Sequence, residues 1–157
     1  MKVERQGESE CMLATLAALS GQPLAIVRRL ALGHAGADCW AGMLRERDRY
    51  WAAVDATAAD LRMERFVDAV KAALREAQSD RGARYDALAV LAGNAPPSLP
   101  AVGRGAVLAV SPRTGHIMPW QDGLVFDPES EDPSVGITLP EYRRRRPYSA
   151  FKVVGYE

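Results

Sequence analysis

Cys11 stands directly ahead of Met12, Leu13, Leu16 and Leu19, which recur at helical spacing, so the thiol opens a helix. Unpaired N–H groups and the positive end of the dipole favour a thiolate there, and the thiolate is the nucleophile. The plainer reading is a small buried side chain, because cysteine is commonly interior. Gln6 precedes Cys11 across Gly7, at a reach that lets its amide join the Cys11 N–H in an oxyanion hole, where a solvated loop residue is the alternative. His116 begins an apolar strand, His116 to Trp120, that turns at Gln121-Asp122-Gly123 into Leu124-Val125-Phe126-Asp127. A two-residue loop at Gln121-Asp122 sets Asp127 opposite His116, and one at Asp122-Gly123 makes them diagonal neighbours on one face. A three-residue loop separates them. Together these groups describe acyl transfer: His116 draws the Cys11 proton, Asp127 fixes the ring's tautomer and Gln6 stabilises the oxyanion.

The elements that must position these groups fall into two halves. A helix over about 11–19 ends at Ser20-Gly21, and a second runs from Pro23 through Leu32 with Gly33 as its stop. Residues 34–38 read as a loop, after which Asp38 caps a helix carrying Trp40, Met43, Leu44 and Trp51. Asp60 to Ala77 is the clearest amphipathic helix, and a shorter one is expected around Tyr85 to Leu91. The Pro-rich stretch Asn94 to Pro100 ends this helical character. Strands are expected at Ala106 to Val110, His116 to Trp120, Leu124 to Phe126, Val135 to Leu139 and Ala150 to Tyr156. Pro119 requires its strand to lie at an edge or a bulge. Helices first and strands second predict an α+β fold, with the helical part over about 1–93 packed on an antiparallel sheet over about 104–157.

With 157 residues and 48% hydrophobic composition the chain suits a single domain spanning 1–157. Twenty basic residues balance twenty acidic ones, so no global charge draws it to nucleic acid or an anionic membrane. The charged N-terminus lacks the apolar core of a signal peptide, and no stretch approaches the ~20 apolar residues of a membrane span. Two cysteines without a Cys-x-x-Cys fit a reducing compartment, hence a cytoplasmic protein, and neither a disulfide scaffold nor a zinc site; no cofactor is expected. Cys39, with His34 nearby, is the competing nucleophile, but it lacks a suitably placed Gln and reads better as a buried cysteine at a helix start. His34 itself reads as a loop or cap residue. Arg143 to Arg146 reads as a solvated charge run, with a phosphate or acidic-partner contact as the alternative; Trp120 reads as a shield for the His–Asp bond or as an ordinary aromatic in a sheet face, and Trp40 and Trp51 as core or groove residues.

The segment from Gln6 to Gly21 resembles the nucleophile helix of papain-like cysteine peptidases, particularly the bacteriocin-leader-processing (double-glycine) branch. Gly115-His116-Ile117-Met118 and Leu124 to Pro128 likewise resemble that branch's histidine strand and Asp-Pro, in the same Cys, His, Asp order. The resemblance covers about thirty residues and leaves Gln22 to Pro100 unmatched. It implies a papain-like fold and a cysteine hydrolase acting on a peptide or isopeptide bond in a protein or peptide substrate. Two other readings stay open. One is acyl transfer on the same scaffold, as in a transglutaminase, deamidase or acyltransferase. The other is an inactive papain-like binding protein, resting on Met12 where the family usually carries Gly.

Overall fold

A computed structural model describes residues 1–79, 98–110, 115–146, 148 and 150–156. Among the described residues, five α-helices and a four-stranded antiparallel sheet make an α+β fold, with four of the helices ahead of the strands as expected. The helix expected around Tyr85 to Leu91 lies outside the described residues.

Helix α1 spans Cys11–Ser20 and buries Met12 to Ala17 and Leu19, so it is enclosed on nearly every side. Gly21, at φ 75°, ends it in the left-handed conformation that glycine adopts without steric cost. Helix α2 spans Leu24–Ala35, where a stop at Gly33 was expected. Gly36 is the residue with positive φ, and the N–H groups of Gly36 and Ala37 bond back to Gly33 and Leu32. That paired closure needs its left-handed residue at Gly36, so Gly33 and His34 remain helical.

The helix expected from Asp38 is also displaced. Gly42, at φ 78°, breaks the chain into a 3-10 turn at Met43–Arg45, and helix α3 follows over Arg47–Asp60. Helix α4 then covers Glu64–Ser79, not Asp60 to Ala77. Between them Arg62 takes φ 58°, while the N–H groups of Arg62 and Met63 bond to Ala59 and Ala58. This is the same closure as at Gly36, built without a glycine, so the apolar periodicity runs through it unmarked.

The sheet comprises β1 (Arg104–Val110), β2 (Gly115–Gln121), β3 (Leu124–Val125) and β4 (Ala150–Tyr156), in the order β3-β2-β1-β4. Ala106, Leu108, Ile117 and Val154 face α1 and α4 in one core. Val107, Ala109, Met118, Trp120 and Phe151 pack on the other side. Both faces are covered, which explains strands that read as continuous apolar runs. Pro119 accepts the Phe126 N–H at 2.9 Å just beyond the two residues of β3, so its missing N–H falls where the ladder ends.

The strand expected over Val135 to Leu139 does not form. Ile137 makes one bridge to Val125, and helix α5 begins at Leu139 and runs to Arg145. Thr138 accepts the Glu141 N–H at 3.3 Å, with Pro140 in the first turn. Thr-x-x-Glu with an early proline is a helix-start signal that outweighs the β-branched letters before it. Leu139 and Tyr142 of α5 complete the second core. No helix among the described residues is long and apolar enough to cross a membrane.

Candidate functional site

Cys11 is the first residue of α1, half-buried, at the end of the helix where N–H groups lack intrahelical partners. The chain before it is held tightly. Glu10 is buried; its carboxylate accepts the Gly7 N–H at 2.6 Å and is gripped by Arg28 through Nε and, at 2.8 Å, Nη2. Those bonds keep Glu10 charged: the Arg28 hydrogen bond, aided by the Gly7 N–H, outweighs burial and lowers its pKa. Trp40, buried, donates from Nε1 to the Ser9 carbonyl at 3.0 Å. The sequence reading gave Glu10 and Trp40 no part in the site. Glu10 passed as one of several polar letters before the helix, and the contact of Trp40 spans a distance in sequence that no local pattern reports.

The β2–β3 hairpin turns through Asp122 and Gly123, at φ 47° and 83°, so both central residues are left-handed as in a type I′ turn. Gln121 pairs with Leu124, which selects the diagonal arrangement of His116 and Asp127. Their side chains meet: His116 Nε2 lies 2.8 Å from Asp127 Oδ1. A carboxylate only accepts, so Nε2–H is the donor and Nδ1 is left for another partner. Asp127 Oδ1 also accepts the Glu129 N–H at 2.9 Å. The His116 side chain is 3% exposed and that of Asp127 11%.

Burial alone would lower the His116 pKa. Hydrogen bonds to Asp127 and to the Cys11 sulfur, with the electrostatic pull of both side chains, outweigh it and raise the value to about 9. Asp127 moves the other way. Its burial is overcome by the His116 bond and charge, the Glu129 N–H and the Arg146 guanidinium, which hold it below the usual carboxylate range. Burial, then the charge at Cys11, raises the Tyr50 phenol beside them.

The N-terminal arm ties the two halves together. Gln6 N–H donates to the Pro128 carbonyl at 2.9 Å, and Val3 exchanges two bonds of 3.0 Å with the Ser134 hydroxyl. The Gln6 side chain donates from Nε2 to the Gly7 carbonyl at 3.3 Å, while its Oε1 is buried without a hydrogen-bond partner among the described residues. Gln6 is therefore in the loop before Cys11, tied through its backbone to the residue after Asp127, with its amide engaged on the Gly7 peptide.

A cleft of about 280 Å³ opens between the helices and the sheet, bordered by Cys11, His116, Tyr50, Trp51, Leu74 and Val110. Cys11 and His116 belong to its mostly apolar lining.

Other sequence expectations are corrected here. Cys39 is exposed and non-helical, not buried at a helix start, because the helix expected there begins only at Arg47. His34 lies within α2 and pairs with Asp60 at 2.6 Å. The ring beside His116 is Tyr148, stacked at 6.4 Å, whereas Trp120 packs with Met118 and Val125 and donates to the Val154 carbonyl. Arg146 is not simply solvated: it bonds Glu129 at 2.7 Å and lies 3.9 Å from Asp127. Arg143 to Arg145 fall in the last turn of α5, where cations suit the negative end of the dipole. His116, Asp127 and Glu129 also offer ligand atoms close enough together to hold a metal ion. The His116 Nε2–Asp127 Oδ1 and Arg146 Nη2–Glu129 Oε2 bonds engage one ligand atom of each of these side chains.

Compared with known proteins, the chain matches no family model, no curated protein and no solved structure.

Proposed function

We propose that this chain is a papain-like cysteine hydrolase that cleaves a peptide or isopeptide bond, with Cys11 as nucleophile, His116 as its acid and base, and Asp127 orienting the ring. The observation that carries the reading is the meeting of a helix-opening thiol with a buried His–Asp pair across one cleft. The sequence resemblance to the bacteriocin-leader-processing branch supplies the reaction class.

The chemistry follows from the charges. The thiol proton passes to His116, giving a thiolate and an imidazolium held by Asp127. The thiolate attacks the substrate carbonyl, and the oxyanion is met by the Cys11 N–H and the Gln6 amide. Gln6 Nε2 carries two N–H groups, so one can stay on the Gly7 carbonyl at 3.3 Å while the other serves the oxyanion. Imidazolium then protonates the leaving amine, and a thioester remains on Cys11. Water, deprotonated by His116, hydrolyses it; an amine in place of water would give transfer on the same groups. Met12 occupies the family's usual glycine position, and its side chain is buried in the core beside Cys11.

The test is iodoacetamide alkylation followed residue by residue in wild type and His116→Ala. Fast labelling of Cys11 over Cys39 near neutral pH, lost in the variant, is the expected result. Equal, slow labelling that ignores His116 sinks the reading and favours an inactive papain-like binder.

A further inference from the structure

Glu10 is a buried carboxylate next to the proposed nucleophile, and no step of the reaction uses it. Its bonds all converge on one short turn. Oε1 accepts the Gly7 N–H at 2.6 Å, and the Glu10 N–H donates to the Gly7 carbonyl at 3.4 Å. That same carbonyl accepts the Gln6 amide at 3.3 Å. Arg28, from α2, fixes the carboxylate through two of its nitrogens, so the turn is referred to a second helix as well as to α1. The space is tailored: a Cβ on Gly7 would lie 2.8 Å from Glu10 Oε1. Ser9, at φ 63°, and the Trp40 bond to its carbonyl close the turn from the far side.

We infer that Glu10, clamped by Arg28, is a positioning residue that fixes the Gly7 peptide and thereby the Gln6 amide, the proposed side-chain oxyanion donor. The inference rests on the proposed hydrolase reading and adds the device that holds its oxyanion donors in place. A charged pair suits the task because a bidentate arginine fixes direction as well as distance. Preorganised donors contribute most when they need not move as charge develops.

The consequence separates two reactions of one thiol. Alkylation by iodoacetamide is a displacement at carbon with no oxyanion, so it reports only the thiolate. Acylation by p-nitrophenyl acetate passes through a tetrahedral oxyanion: the S–C bond forms, the ester C–O bond breaks, and p-nitrophenolate leaves with the electron pair. Glu10→Gln retains an acceptor for Gly7 but loses the charge that Arg28 grips. It is expected to slow Cys11 acylation about tenfold or more, on the scale of a displaced oxyanion donor, while iodoacetamide labelling stays within about twofold of wild type. Arg28→Lys, which keeps the charge without the two-point grip, is expected to show a smaller loss in the same reaction. It also serves if Glu10→Gln fails to give the wild-type circular dichroism spectrum. Acylation at the wild-type rate in either folded variant overturns the inference, as does a parallel fall in both reactions, which would place Glu10 on the thiolate. Wild-type Cys11 that neither labels faster than Cys39 nor acylates overturns the hydrolase reading itself, a different result from an active wild type with indifferent variants.

Discussion

At the scale of single residues, the proposed chemistry gives each side chain a distinct cost of removal. Cys11→Ala should abolish hydrolysis and thioester formation while leaving the fold intact, and Cys39→Ala should change neither, since Cys39 is exposed away from the cleft. His116→Ala should lower kcat/KM by roughly a thousandfold or more, and Asp127→Asn by less, because the orienting group contributes less than the base. The pH profile of kcat/KM is a sharper check. Imidazolium must protonate the leaving group, so activity should fall on the alkaline side with a midpoint near the His116 value of about 9. Asp127 is among the causes that raise that value, so Asp127→Asn should move the alkaline limb to lower pH. A limb that stays in place would separate Asp127 from the titration. Of these residues Cys11, His116 and Asp127 are legible in the sequence because each sits in a local signature, a helix start or a hairpin. Glu129, Arg146 and Tyr148 reach the same site from a loop and from the segment after α5, and no local pattern joins them to His116.

At the scale of elements, the glycines show how backbone conformation overrides letter patterns. Gly33 is still helical in the last turn of α2, with nothing within 4 Å of an added Cβ, whereas Gly36 carries the left-handed φ of 62°. Gly33→Ala should therefore stabilise the protein by about 0.5–1 kcal/mol, and Gly36→Ala should destabilise it by about 1 kcal/mol, both read from urea midpoints. Equal effects would mean that the helix does stop at Gly33. Gly105 in β1 is the opposite case. A Cβ there would lie 1.9 Å from the Val154 carbonyl and 2.8 Å from Trp120 Nε1, in the space where the indole reaches across to that carbonyl. Gly105→Ala should cost more than about 3 kcal/mol or prevent folding, because two strand backbones and a buried ring would all have to shift. Circular dichroism and a urea melt check it. Element type was legible wherever periodicity was long and undisturbed, as in α1, α4, β1 and β2. Boundaries were not, because Arg62 and Gly36 terminate helices through backbone bonds that leave little trace in composition.

At the scale of the whole molecule, the site lies on the seam between helices and sheet, so its ionisation is coupled to folding. The folded His116 holds its proton up to about pH 9, while the unfolded side chain releases it near 6.5. Between those values the native state binds more protons, so stability falls as pH rises; the contribution is full below about 6.5 and is lost through about 9. Asp127 has the opposite sign. Its pKa is depressed, so its contribution is present above 3.8 and lost as pH falls through the lower folded value. Urea midpoints of wild type should therefore decline between about pH 7 and 10, and His116→Gln should flatten that decline. A variant with an unchanged slope would show that the pair is not linked to folding. By itself the sequence determined an α+β order of helices before strands, a thiol at a helix start, and a histidine and an aspartate on one hairpin. These depend on periodicity, caps and turns, interactions within a few residues of one another. Only the tertiary structure decided the rest: the hairpin register that joins His116 to Asp127, the arm that ties Gln6 to Pro128, and the Arg28 grip on Glu10. The first depends on which turn the hairpin adopts and the other two on contacts between separate segments, and all are settled only when the elements assemble.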